Sequence, residues 1–175
     1  MLGKSMALGT LGAIALAVSI QAAAAETPTI DQLPAAIKPT GMSVYLETAA
    51  TGAQVYTCSK NASGAWAWTL KGPDAELFDM QKKPVGKHYA GPTWEGGGGK
   101  VVAAATASAP APGGNAVPWL LLDVKSHEGT GEISQAKAVL RVSTSGGVAP
   151  GQGCDEAHSG QETRVPYTAT YLFLK

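Results

Sequence analysis

A mainly β fold, one antiparallel domain of the sandwich or barrel type with long Gly/Pro-rich loops, follows from three features of this 175-residue chain. Apolar residues alternate with period two in several segments, the mark of strands with one buried face. No apolar stripe at i, i+3, i+4, i+7 persists over three helical turns. Gly 22 and Pro 11 together make about 19% of the residues, against roughly 12% in ordinary globular proteins, so turns are frequent.

The first 25 residues stand apart. Lys4 supplies a positive start, Met6 to Ile20 is apolar, and Ala22–Ala25 offers small-residue cleavage frames before Glu26. That is the layout of a secretory signal peptide, and the run is shorter than the ~20 residues a membrane-spanning helix needs. Residues 26–42 hold Pro28, Pro34 and Pro39 and read as an irregular lead-in. Residues 43–175 then form a single β-domain, since ~150 residues support one core and not two.

Within that domain, Val44 and Leu46 alternate with Tyr45 and Glu47, and Ala49–Gly52 is expected to turn the chain. Val55–Cys58 resumes the alternation, Asn61–Gly64 is a second turn, and Trp66, Trp68 and Leu70 share one face of the next strand. Gly72-Pro73 is expected to end it, leaving Asp74–Phe78 undecided between a strand and a helical turn. Lys100–Ala105 is a candidate strand, and Ala107–Ala116 is a low-complexity loop. Trp119–Val124 is an apolar run broken only by Asp123, consistent with a strand buried on both faces. Ala136–Ser143 and Tyr167–Phe173 alternate again, so seven to nine strands are expected.

Lys+Arg 13 balance Asp+Glu 13, so no positive field exists to attract nucleic acid. The two cysteines, Cys58 and Cys154, are a natural disulfide in an exported protein. Two free thiols, or one catalytic cysteine, are the competing readings; neither cysteine has a Cys-x-x-Cys partner or a nearby histidine. Gly96–Gly99 before Lys100 lacks the P-loop spacing, and Gly151-Gln152-Gly153 lacks the third glycine of a dinucleotide fingerprint. His88, His127 and His158 show no metal-ligand spacing, and no cofactor is implied. His127 and His158 sit in polar turns.

His88 lies among Lys87, Tyr89, Trp94 and Glu95. A titratable imidazole there can serve as a general base with Glu95 or Tyr89 as its partner. The same aromatic residues can equally bind a ligand, with Trp68, Lys71, His88, Tyr89 and Trp94 as the candidate binding set. The bland alternative is a strand and turn covering the edge of the core.

Several blocks, taken in order, resemble a known family. They are Trp68–Asp79, Gly86–Trp94, Val117–Leu122, Arg141-Val142, Gly146–Pro150, Cys154 and Val165–Ala169. Together they resemble a secreted bacterial and fungal family designated domain of unknown function 3455, from about Pro34 to Leu174. The resemblance implies export, a single domain and pairing of Cys58 with Cys154; it carries no catalytic residues. The expected protein is therefore an exported β-domain, periplasmic in a Gram-negative cell, without a membrane span in its mature form. Its expected role is non-catalytic binding of a small molecule, a glycan or an envelope partner. The alternative is a small hydrolytic or redox enzyme with a His88-centred cleft.

Overall fold

The computed structural model describes residues 26–175; the expected signal segment, residues 1–25, lies outside the described residues. Eight strands follow in order: β1 (Val44–Lys60), β2 (Trp66–Phe78), β3 (Pro84–Tyr89), β4 (Thr93–Gly96), β5 (Gly99–Ala109), β6 (Trp119–Gly129), β7 (Ala138–Gly146) and β8 (Glu162–Leu174). Each pairs antiparallel with the next, and β8 pairs with β1, so the sheet closes into a barrel. Closure settles the choice between sandwich and barrel. It is possible because β1, 17 residues long, has β2 on one flank and β8 on the other.

Two expected breaks are absent. Ala49–Gly52 does not turn; it is paired on both flanks, with Gly52 opposite Ala75 on β2 and Tyr167 on β8. The glycine is there because a Cβ would collide with the Asp74 carbonyl and the Ala75 backbone. Gly72-Pro73 does not end β2 either. The register steps from Val55↔Gly72 to Tyr56↔Leu70, leaving Lys71 as the extra residue of a bulge. Pairing with β3 starts only at Asp74↔Tyr89, so Pro73 sits where that flank has no partner strand, a position proline tolerates. Asp74–Phe78 is thus strand.

The sheet separates two apolar clusters. Inside the barrel lie Leu77, Trp94, Val101, Leu122, Val139, Tyr171 and Phe173. Outside, the lead-in makes two single-turn 3-10 helices, Ile30–Gln32 and Ala35–Ile37, that pack Leu33 and Ile37 against Leu140, Val142, Leu172 and Leu174. This second layer explains why β6, β7 and the end of β8 are apolar on both faces. Elsewhere the outer face carries Glu76, Lys87, Glu95 and Lys100, unlike the apolar band of a lipid-facing barrel. No described helix is long and apolar enough to cross a membrane.

The two barrel ends differ. At one, the 3-10 turn Glu132–Gln135 buries Ile133 as a plug, and Tyr45 Oη donates to the Glu132 carbonyl at 2.8 Å. At the other, the β1–β2 hairpin projects beyond the barrel, and the β7–β8 loop, residues 147–161, runs along it. Cys58 and Cys154 are disulfide-bonded there, with Cα atoms 5.3 Å apart. The Cys58 N–H donates to Gln161 O at 2.8 Å, and Gly160 N–H donates to Cys58 O at 2.9 Å.

The bond spans a sequence separation of 96, for which chain entropy gives about 4–5 kcal/mol before native strain is deducted. The Cys58→Ser/Cys154→Ser double variant should unfold in urea with about 3 kcal/mol less stability. A loss below about 1 kcal/mol would mean that the loop is held by its backbone hydrogen bonds and not by the crosslink.

Candidate functional site

The β3–β4 hairpin places the residues that the sequence singled out. Its register is Lys87↔Glu95, His88↔Trp94 and Tyr89↔Thr93. Period two turns His88 and Trp94 inward, where the rings stack with centroids 4.3 Å apart and planes at 17°. Tyr89 and Glu95 face outward, and Tyr89 Oη donates to Glu95 Oε2 at 2.6 Å. The sheet therefore stands between His88 and both of its expected partners. Trp68 lies on the projecting hairpin, its indole N–H donating to Gln152 O at 2.9 Å. Lys71 is exposed and paired with Glu162 at 2.6 Å. Of the five expected binding residues, His88 and Trp94 come together inside the barrel, and Lys71 and Tyr89 share a concavity on its outer face.

His88 and Trp94 meet at a cavity of about 220 Å³ inside the open end of the barrel. Every strand contributes to its wall. Gln54 comes from β1, Leu70 and Pro73 from β2, His88 from β3 and Trp94 from β4. Ala105 of β5, Leu120 and Leu122 of β6, Arg141 of β7 and Tyr171 of β8 complete it. Gln54, Arg141 and Tyr171 are the residues that sequence reasoning missed. The signal for Arg141 was a lone charge on a strand apolar on both faces, between Val139 and Ser143, which reads as an outward position until the lead-in is seen to cover the other face.

The polar groups in this wall are unusual. His88 is 3% exposed, and its Nδ1 lies 2.8 Å from Thr93 O. A carbonyl only accepts, so Nδ1 carries the proton and Nε2 keeps its lone pair. Burial pushes the imidazole pKa down to about 3; the Thr93 carbonyl opposes this and the nearby Arg141 charge adds to it. Tyr171 is also driven well up, chiefly by burial, and its hydroxyl lies 3.2 Å from that of Tyr167. Arg141 donates through Nε and Nη2 to Pro118 O at 3.0 and 2.8 Å; among the described residues no carboxylate pairs with it. Gln54 Nε2 and Trp94 Nε1 are buried donors with no protein partner.

A larger concavity, about 640 Å³, lies on the outer face between Glu26, Pro28, Trp119 and the hydroxyl row Thr51, Thr168 and Thr170. Trp119 there also has a buried unpartnered N–H. The groove has no cation and only Glu26 as an acid, whereas the interior cavity gathers a guanidinium, an imidazole and two free donors. Chemistry, not size, marks the interior cavity as the candidate site.

Residues 39–175 match the family model described as Protein of unknown function (DUF3455), and the chain belongs to that family. No curated protein and no solved structure matches the chain.

The depressed His88 pKa has a thermodynamic consequence. The unfolded imidazole takes up a proton below about pH 6.5 and the folded one only near 3, so between these values the unfolded state holds more protons and stability rises with pH. Full stability is present above about pH 6.5 and is lost at up to about 1.4 kcal/mol per pH unit as pH falls toward 3. Urea unfolding at pH 7 and pH 4.5 should show His88→Phe losing about 2.5 kcal/mol less than the parent protein over that interval. Equal losses would place His88 in contact with water.

Proposed function

We propose that this member of the family is an exported barrel that binds a small molecule in the cavity at its open end. One observation carries the reading: Gln54 and Trp94 line a cavity, and each has a buried side-chain N–H without a partner. Leaving a donor unsatisfied costs about 1–3 kcal/mol, a cost that a bound acceptor would remove. An eight-stranded barrel is wide enough to be filled by side chains or to hold one small ligand, and here the filling is incomplete. The cavity of about 220 Å³ is below the roughly 300–1,000 Å³ typical of drug-sized ligands, so the ligand is small. Export is supported by the apolar start with its small-residue frames and by the disulfide, which an oxidising compartment favours.

Indole N–H resonances give a direct test, because the chain has only 4 tryptophans. Fragments that enter the cavity should shift the Trp94 signal and leave the Trp66 signal in place. Ala105 lines the cavity at its exposed mouth, so Ala105→Phe should abolish those shifts without lowering the melting temperature. A fragment set that never moves Trp94, or binding that survives Ala105→Phe, would remove the cavity from consideration.

A further inference from the structure

We infer that the cavity selects a small organic monoanion, a carboxylate on an apolar body; this rests on the reading of the cavity as a ligand site. Its free hydrogen-bonding capacity is weighted toward donors, with His88 Nε2 as an acceptor. Gln54 Nε2 and Trp94 Nε1 are N–H donors without partners, and Arg141, beyond the two donors given to Pro118 O and its hydrogen bond to Tyr171, keeps further guanidinium donors. No acid lines the wall. Asp74, whose charge reaches Tyr167, faces outward and is held by Arg164 at 2.7 Å. The wall thus carries one positive charge and no negative one.

Arg141 is half-buried in this wall without a carboxylate partner, and a partly desolvated charge gains from a counter-charge. The Pro118 carbonyl answers part of that charge with a dipole, and a ligand carboxylate would answer it with a full charge and a planar pair of acceptors suited to guanidinium. A single arginine matches a monoanion. The rest of the wall, Leu70, Pro73, Leu120, Leu122 and the Trp94 face, is apolar and would take a hydrocarbon or aromatic body. His88 Nε2, held as an acceptor by the Thr93 carbonyl on the opposite nitrogen, would receive one hydroxyl or N–H from that body. It would also disfavour a second carboxylate beside it.

Benzoate, benzamide and benzylamine share a ring and differ in charge, and titrating each by calorimetry while following the Trp94 indole resonance tests the inference. Benzoate should bind at least about tenfold tighter than benzamide, the range expected of charge-assisted hydrogen bonds, and benzylamine should not bind. Arg141→Gln should erase the preference for benzoate, while Arg141→Lys, which keeps the charge, should retain part of it. Gln54→Met removes a donor remote from the Pro118 carbonyl and should weaken benzoate severalfold, an independent check should Arg141→Gln fail to fold. Benzamide equal to benzoate, or a preference that survives Arg141→Gln, overturns the anion inference and leaves the cavity as a binding site. Inorganic phosphate moving Trp94 as strongly as benzoate overturns the organic part of it. Silence of all three ring compounds while other fragments move Trp94 also overturns it. Silence of every fragment overturns the underlying cavity reading.

Discussion

Everything inside this protein depends on the pairing of β1 with β8. The two strands run together from Val44↔Leu174 to Thr57↔Glu162, and that ladder turns an open meander into a closed surface. Closure removes the sheet edges that would otherwise invite pairing with other chains. It also fixes which residues face inward around the ring. A slip of one residue would send every side chain of a strand to the other face. On β7 that would exchange Val139 and Arg141, inside, for Leu140 and Val142, which are buried under the lead-in. The outer apolar layer formed by Leu33 and Ile37 therefore holds the register as well as covering the sheet.

The interior is divided unequally between large and small residues. Trp94, Tyr171 and Phe173 form an aromatic column, with Trp94 meeting Tyr171 edge-on at 5.2 Å and Phe173 at 6.4 Å. Facing it, β1 to β4 supply Ala50, Gly52, Ala75, Gly86 and Gly96. A Cβ on Gly86 or Gly96 would strike the opposite strand's carbonyl, so the backbones close up toward the plugged end. Toward the open end the wall turns polar, and the space is not filled. Free donors and a cation there work against stability, and such local conflict with the rules of core packing is where function concentrates.

The strands were legible in the sequence because their alternation reports the buried face directly. The Asn61–Gly64 hairpin turn, the C-terminal strand and the two-sided burial of Trp119–Val124 all appear as read. Ala49–Gly52 and Gly72-Pro73 were misleading for one shared reason. Glycine and proline signal turns locally, but here they answer non-local demands: close approach of Asp74 to Gly52, and a bulge that re-aims the projecting hairpin. The site was half legible. His88 and Trp94 were found because they are chemically rich and lie on adjacent strands across a tight turn. Gln54, Arg141 and Tyr171 come from strands far away in sequence, and only closure of the ring makes them neighbours. The expected pairing of His88 with Tyr89 or Glu95 ignored the pleat, which separates adjacent residues by the thickness of the sheet.

The β7–β8 loop joins the scaffold to the cavity. It begins at Gly147, where φ is +80° and a Cβ would press on Tyr167, Val117 and the Cγ of Gln54. Tyr56 Oη donates to the Gly147 carbonyl at 2.6 Å, which fixes this backbone against β1. Gln54 is thereby packed between the loop and the barrel wall. Farther along, the disulfide and the Trp68–Gln152 hydrogen bond keep the loop on the projecting hairpin. The mouth is left open on the side of Leu70, Pro92 and Ala105. The crosslink thus restrains the loop that packs on Gln54, and the exposed residues of the cavity wall, Leu70 and Ala105, are apolar.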